Sequence, residues 1–264
     1  ALKTLEDNEI TYRHELLGKL LLHIRQEHFS SPEPDAQVVF CIDVRSEPYR
    51  RHLESLGAYQ TLGFAGFFGL PVRIKDHATG KDMDCCPVLL KPGFHVLEQP
   101  VTQDEKQINA YHDKKSRNHA LQTAYNELKN NASTPFVLAE AIGLFCGLLM
   151  VFKTFYTAIS SQFLKRFTAK LHPKLEHQPR LTSHGEDNNY GIPVCEQVIH
   201  AETALRLMGL TKNFAKFVIF CGHGSQTVNN PYKSALDCGA CGGNHGGKNA
   251  ELLTCILNQD IVKY

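Results

Sequence analysis

QVVFCIDVR, residues 37–45, is the stretch that decides the fold, because it joins an apolar run to three chemically reactive side chains. The β-branched run 38–42 predicts a buried strand. Alternate side chains of an extended chain share one face, so we expect Cys41, Asp43 and Arg45 side by side where the strand ends. A thiol, a carboxylate and a guanidinium are costly to desolvate together, and their grouping therefore indicates a functional site.

A helix is predicted directly after this cluster. SEPYRRHLESLG, residues 46–57, begins with Ser46 in a position typical of helix N-caps and ends at Gly57, a typical helix terminator. A strand, a set of polar residues and a helix N-terminus in succession are where α/β folds commonly bind ligands.

A second strand with a similar ending is predicted at residues 217–221. It is followed by Gly-His-Gly, which contains His223, and then by a loop rich in Gly and Asn that contains Cys238 and Cys241. If the two strands are parallel neighbours, both polar clusters lie at one carboxyl edge of the sheet. The sequence thus predicts an α/β fold whose mainly parallel sheet is flanked by helices.

A candidate ligand set is formed by Cys41, Asp43, His223 and Cys238. Two thiolates, an imidazole and a carboxylate suit a four-coordinate zinc ion. Each residue also has an ordinary structural interpretation, since lone cysteines often pack as small apolar side chains. Spacing alone leaves both interpretations open, and the single Cys-x-x-Cys pair at residues 238–241 is weak evidence for a zinc ribbon.

Hydrolysis is the alternative chemistry for the same residues. Cys41 or Ser225 would be the nucleophile, His223 the base and Asp43 the group that orients the base. The sequence HGS lacks the nucleophile-elbow pattern, and Arg45 has no function in this scheme. Hydrolysis is therefore the second choice.

The segment GGNHGGK, residues 242–248, formally matches the start of a phosphate-binding loop. Asn249 stands where such loops carry the Ser or Thr that holds magnesium, and no predicted strand runs straight into the segment. Nucleotide binding is therefore disfavoured.

Composition narrows the classes of function. The chain of 264 residues has 28 Lys and Arg against 27 Asp and Glu, a net charge of +1, which gives no reason to expect nucleic acid or an anionic membrane surface as partner. Nine scattered cysteines favour reduced thiols over a disulfide framework. The N-terminal residues lack the pattern of a signal peptide, which favours a cytosolic setting, and the missing initiator Met indicates a fragment.

Hydrophobic patterns divide the chain into four segments. These are an N-terminal helical segment (1–35), the first part of an α/β zinc-site domain (36–118), a helical insertion (119–175) and the second part of the α/β domain (176–264). Within the insertion, residues 135–152 are almost continuously apolar. Glu140 and two glycines interrupt this run, so a buried helix is favoured over a membrane span.

TLGFAGFFGLPV, residues 61–72, is an aromatic stretch with regularly placed glycines. Phe64, Phe67 and Phe68 have core packing as their ordinary interpretation. If they line a site instead, they make it apolar and suited to a small uncharged molecule.

Three segments resemble the DabA family, the peripheral subunits of energy-coupled inorganic carbon transporters: CIDVRSEPYRRHLE, GFAGFFG and CGHGSQTVNNPYKSALDCGACGG. The resemblance extends from residue 36 onward, and because the family's proteins are longer, the chain resembles their central, metal-carrying portion. It implies a core similar to that of β-carbonic anhydrases, with a helical insertion. It also implies a Zn²⁺ ion held by Cys41, Asp43, His223 and Cys238, with Arg45 paired to the aspartate.

The function that this resemblance implies is hydration of carbon dioxide to bicarbonate, coupled to energy by a membrane subunit, DabB. The implied location is peripheral, on the cytoplasmic face of the inner membrane, with no nucleic-acid partner and with a homodimer left open. Asp43 and Arg45 are the expected catalytic pair, Asp43 as a removable fourth ligand and Arg45 as the residue that withdraws it. The alternative is a structural zinc ion that only fixes the loop after His223.

The loop itself departs from the β-carbonic anhydrase pattern. In those enzymes the His and the second Cys lie two residues apart, whereas fourteen residues separate His223 from Cys238 in this chain. We therefore expect the intervening loop to fold back on the metal.

Overall fold

The computed structural model describes residues 2–26, 33–157, 159–160, 162, 175–182, 190–225 and 232–263. The strands in these ranges are β1 (Ala36–Cys41), β2 (Tyr59–Phe64), β3 (Val72–Lys75), β4 (Asp82–Cys85), β5 (Phe94–Pro100), β6 (His177–Pro179) and β7 (Phe217–Cys221). The α-helices are α1 (Leu2–Gln26), α2 (Ser46–Glu54), α3 (Glu105–Asn130), α4 (Thr134–Phe155), α5 (Val194–Met208), α6 (Gly247–Leu257) and α7 (Asp260–Lys263). The predicted α/β class is confirmed.

β1 is the central strand of a three-stranded sheet in the order β2-β1-β7, and it is parallel to both neighbours. Val39 of β1 is fully buried and lies in register with Leu62 of β2 and Phe220 of β7. Apolar and β-branched residues suit such a strand because both of its edges are paired. The prediction that the strands ending at Cys41 and Cys221 are parallel neighbours is confirmed, and their carboxyl ends therefore share one sheet edge.

The second sheet has the order β4-β3-β5-β6 and is mixed, with β3 parallel to β5 and with antiparallel outer strands. Helix α6 contacts β7 of the first sheet and β6 of the second, so it joins the two sheets. The largest fully buried apolar side chains of this core are Phe68, Leu70, Ile192, Leu252, Leu253 and Ile256.

Asn249, on α6, fastens the loop that follows β2. Its buried Nδ2 donates to the carbonyl oxygens of Phe67 (3.2 Å), Leu70 (2.9 Å) and Cys85 (2.9 Å). Asn249 stands in the Ser/Thr position of the apparent phosphate-binding motif. Its side chain instead hydrogen-bonds the backbone of two other segments, the loop after β2 and the end of β4. This hydrogen bonding fixes the loop over the carboxyl end of β1.

Helix α3 is anchored at its N-terminal half by Lys115. The Lys115 ammonium donates to Asp76 in the β3–β4 turn and to the hydroxyl of Tyr111 one helical turn away. Burial alone would raise the pKa of Asp76, but Lys115 and the amide of Thr79 outweigh this effect and hold the pKa at about 2. The pair therefore ties α3 to the second sheet.

The interpretation of residues 135–152 as a buried helix is wrong. These residues are helical, within α4, but no residue of α4 is buried against the described part of the chain, and Leu144 is 82% exposed. By length and composition alone, with 22 residues and a mean hydropathy of 2.1, α4 could cross a membrane. The prediction failed because hydropathy shows that a helix needs apolar surroundings but does not identify what supplies them.

Helix α3 precedes α4 and contacts it. It begins at Glu105, earlier than the helical pattern from His119 indicated. The predicted helical insertion ends at residue 175. Of its last part, residues 163–174 lie outside the described residues.

Candidate metal centre

Three of the predicted ligands converge at the carboxyl edge of the first sheet. Cys41 ends β1, His223 lies two residues beyond β7, and Cys238 stands in the loop that follows. Their ligand atoms all lie within 4.8 Å of one another. The Sγ atoms of Cys41 and Cys238 are 3.6 Å apart, close to the separation of about 3.8 Å that two sulfurs adopt on a tetrahedral zinc ion. We call these three residues the ligand cluster.

The imidazole of His223 supports a metal at this position. Its Nδ1 and Nε2 atoms are both buried and have no hydrogen-bond partner among the described residues. A buried polar atom without a partner costs on the order of 1–3 kcal/mol, so an arrangement with two such atoms needs a compensating interaction. Coordination of a metal ion by one nitrogen would supply such an interaction, and the donor set of two sulfurs and one imidazole suits Zn²⁺.

The sulfur of Cys238 is hydrogen-bonded to those of Cys41 and Cys241. Hydrogen bonds from the thiols of Cys241 and Cys41 lower the pKa of Cys238, whereas the same contact with Cys238, together with burial, raises the pKa of Cys41. The pair thus behaves as one thiolate stabilised by neighbouring thiols. A divalent cation takes the place of such protons, because metal ligands are deprotonated cysteines.

Cys241 is a functional candidate that the sequence interpretation did not select. It is fully buried, directs its thiol at Cys238 and lies in the short 3₁₀ turn Gly239–Cys241, for which Cys238 is the N-cap. It is not a member of the ligand cluster. The Cys-x-x-Cys spacing was the available signal, and it marks one member of the ligand cluster, Cys238, and the neighbour that hydrogen-bonds it, Cys241.

Gly66 is the second residue that the sequence interpretation missed. A Cβ atom at this position would lie 2.5 Å from both sulfurs, Cys41 Sγ and Cys238 Sγ. The backbone of Gly66 also hydrogen-bonds the Cys41 sulfur and favours its thiolate form. The glycine spacing of GFAGFFG was the signal for this close approach of backbone to a site.

Asp43 lies beside the ligand cluster but is held by Arg45. Arg45 donates from Nε to Oδ1 (2.7 Å), from Nη2 to Oδ2 (3.0 Å) and from its backbone amide to Oδ1 (2.9 Å). This bidentate pair holds the pKa of Asp43 at about 2. Asp43 Oδ2 remains 3.7 Å from Nε2 of His223, and Arg45 is itself fixed by a 2.8 Å hydrogen bond to the carbonyl of Leu236.

The three phenylalanines near the site have different environments. Phe67 packs against the buried cysteines of the centre, whereas Phe68 is fully buried in the main core, where its ring meets the ring of Phe220 edge-on at 5.8 Å. Phe64 stacks on Phe68 at 6.3 Å and also packs against that core. Phe67 is therefore the member of this set that supplies apolar surface to the centre.

The arrangement needed for hydrolysis is not formed by the described residues. His223 hydrogen-bonds neither Cys41 nor Ser225. Ser225 instead donates from its hydroxyl and its backbone amide to Oδ1 of Asp237, at 2.9 and 2.7 Å. The geometry thus pairs no nucleophile with the base.

The parallel strands β1 and β7, together with the loop that follows β7, bring two thiols and an imidazole to one sheet edge. The molecule is therefore an α/β protein with a candidate metal centre. Residues 4–264 match the model of the family described as "Probable inorganic carbon transporter subunit DabA", and the chain belongs to this family. The resemblance recognised from the sequence is confirmed. No solved structure matches the chain.

Several relatives carry the same description. The protein from Legionella pneumophila (strain Lens) is 49% identical over 99% of this chain and 34% of its own length. The proteins from Salinibacter ruber and Bacillus cereus (strain ZK / E33L) are 38% and 39% identical, over 97% and 86% of this chain and 32% and 26% of their own lengths. The chain thus spans about a third or less of the length of these relatives.

Proposed function

We propose that this chain is the zinc-binding region of an inorganic carbon transporter subunit and that its centre hydrates carbon dioxide to bicarbonate. The observation that carries the proposal is the convergence of Cys41, His223 and Cys238 beside an aspartate that Arg45 holds off the cluster. A structural zinc site is closed by four protein ligands, whereas a catalytic site keeps one position for water or substrate. Three clustered ligands and a withheld carboxylate fit the second type.

A zinc ion, when bound, would act as a Lewis acid that lowers the pKa of water towards neutral pH. The carboxylate of Asp43 accepts hydrogen bonds from Arg45, which keep it ionised and fix its orientation. Its Oδ2 atom, 3.7 Å from Nε2 of His223, is placed to orient a water molecule at the cluster. Phe67 gives the centre the apolar wall that suits an uncharged substrate.

The proposal extends to a membrane partner. The relatives' description as transporter subunits supports assembly with a partner and association with a membrane. We propose DabB as the membrane subunit and a peripheral position on the cytoplasmic face of the inner membrane for this chain. The exposed apolar helix α4 is consistent with a larger assembly. Co-purification of the full-length protein with DabB from solubilised inner membranes, and light scattering for a homodimer, test this part.

The test of function uses the full-length protein produced with its membrane subunit in cells that lack carbonic anhydrase. Asp43→Ala is expected to retain zinc and to lower the uptake of labelled inorganic carbon by about 100-fold or more. Cys238→Ser is expected to lose zinc and uptake together, since it removes a ligand. Elemental analysis gives zinc per chain, and isotope counting gives uptake.

The matched control is Asp84→Ala, because Asp84 forms a similar fork with Arg73 on the second sheet. This variant should keep both zinc and uptake. Retained uptake in Asp43→Ala would refute the catalytic interpretation and leave a structural zinc ion. Wild-type protein without stoichiometric zinc would refute the metal site itself.

A further inference from the structure

Helix α3 is joined to the second sheet by side chains that face it from the β3–β4 turn and from β6. Tyr111 is the one residue of α3 that is buried in the described part of the chain, and its ring centroid lies 5.0 Å from that of His177 on β6. Lys115 donates to Asp76 in the turn. Because α3 buries so little apolar surface, its attachment depends on polar pairs.

His77 in the turn and His112 on α3 form a further pair. Nδ1 of His77 and Nε2 of His112 are 2.7 Å apart, and the two rings meet edge-on with their centroids 4.6 Å apart. A hydrogen bond between two imidazoles needs a proton on one facing nitrogen and a lone pair on the other. The bond therefore persists when the pair takes up one proton, and it is lost when both imidazoles are protonated.

The backbone that carries His77 is fixed by Asp76. Oδ1 of Asp76 accepts from the amides of Ala78 (3.0 Å) and Thr79 (2.9 Å) and from the Thr79 hydroxyl (3.0 Å), while Oδ2 accepts from Lys115. The pKa of Asp76, at about 2, keeps this carboxylate ionised throughout the range in which an imidazole titrates. The turn and its ion pair therefore stay in place while the two imidazoles change charge.

Charged and titratable groups surround the His77–His112 pair on several elements. They are Asp76 in the turn, Tyr111 and Lys115 on α3, Glu98 on β5, His177 on β6 and Lys248 on α6, which binds Glu98. Burial lowers the pKa of His77, and the imidazoles of His112 and His177 lower it further. The two carboxylates act in the opposite direction without reversing the shift, and each is engaged by a lysine. The surroundings thus favour the neutral form of His77.

We infer that the bond between His77 and His112 is a pH-sensitive contact, which holds α3 on the second sheet at neutral pH and releases it in acid, when both imidazoles are protonated. Above the ordinary imidazole pKa of 6.5 the bond contributes its full stability, and this contribution is lost as the pH falls through the lowered pKa of His77. Helix α4 contacts α3, so release also frees this exposed apolar helix to change its position relative to the second sheet. Neither histidine belongs to the ligand cluster, so the inference goes beyond the proposed function and does not depend on it.

Amide hydrogen exchange in the full-length protein, followed by mass spectrometry, measures the attachment of α3. The protection of peptides from α3 is expressed relative to that of peptides from the core helix α5, because the intrinsic exchange rate changes with pH in both helices alike. Between about pH 7.5 and about pH 5.5, we expect this relative protection to fall at least about fivefold in the wild type. Acid removes one hydrogen bond and adds a repulsion between two cations.

Two variants of His112 separate its charge from its contact. In His112→Gln the new amide can donate to a neutral His77 or accept from a protonated one, so α3 should keep its relative protection at both pH values. His112→Leu can do neither and should show low protection of α3 at both. His119→Gln, at an exposed position of the same helix, is the matched control and should follow the wild type.

The absolute protection of α5 reports whether each variant retains the fold, and at a given pH it should be the same in all four proteins. Relative protection of α3 that does not change with pH in the wild type would overturn the inference, as would an equal fall in His112→Gln. Wild-type protection of α3 in His112→Leu at about pH 7.5 would show that the two imidazoles do not hold the helix, and would overturn it as well.

Discussion

Gly66→Ala tests whether the sulfurs of Cys41 and Cys238 hold a metal, because this substitution adds one methyl group between them. The new Cβ atom would lie 2.5 Å from each Sγ, whereas non-bonded atoms of this size rest at about 3.5 Å or more. Each sulfur must therefore retreat by about 1 Å, or the loop must move by a similar distance. Metal–ligand distances tolerate only about 0.2 Å of error, so the two sulfurs can no longer bind one ion.

The expected result is a fall of about 100-fold or more in zinc affinity, measured by competition with a chromophoric chelator. Forcing the methyl group into this packed site should also lower the free energy of unfolding by about 1–3 kcal/mol, measured in urea. Strain of the backbone does not contribute, since φ of Gly66 lies outside the left-handed region.

Gly239→Ala is the matched control for Gly66→Ala. Gly239 adjoins Cys238, but a Cβ atom there would meet nothing within 4 Å. This variant should bind zinc as the wild type does. If Gly66→Ala also bound zinc with unchanged affinity, the assignment of the two sulfurs to one metal would be refuted.

Three further predictions concern the surroundings of the centre. Cys241→Ser exchanges the thiol that hydrogen-bonds Cys238, and we expect zinc affinity to fall about tenfold in chelator competition without loss of the fold; unchanged affinity would show that Cys241 only fills space. Asn249→Leu removes the donor of three buried hydrogen bonds and should lower the free energy of unfolding by about 2–4 kcal/mol in urea; a loss below about 1 kcal/mol would contradict the bracing role. Lys115→Met should cost about 2 kcal/mol at pH 7, because Lys115 makes the largest of the favourable contributions that hold the pKa of Asp76 below its ordinary value of 3.8, at about 2. A depressed pKa stabilises the fold above the ordinary value and ceases to do so below the depressed one, so the difference from the wild type should close between about pH 4 and pH 2; a difference independent of pH would point to lost packing.

The sequence was sufficient to predict the elements that position the centre. Apolar runs ending in polar residues predicted β1 and β7 and their parallel pairing, because buried strands carry a strong compositional signal. The structure brings Cys41, His223 and Cys238 together as that pairing requires, while their function as zinc ligands stays a prediction. The bond between Asp43 and Arg45 also follows from their proximity in the chain.

Other features depend on tertiary contacts that no local pattern encodes. Gly66 and Cys241 are recognisable as parts of the centre only when the loops containing them are folded over β1. The exposure of α4 was not predicted for a related reason. An apolar sequence indicates that a helix needs an apolar environment but not whether the rest of the chain provides it.

The ligand cluster also has a consequence for the biogenesis of the protein. Cys41 and Cys238 are 197 positions apart, and the central strand β1 obtains its neighbour β7 only after the residues between them have been made. At about 5–20 residues per second, a ribosome needs roughly 10–40 s to proceed from one cysteine to the other. Cys41 therefore spends this interval without its partner Cys238, and a metal held by both cysteines would load only in the last stage of folding, after β7 has paired with β1.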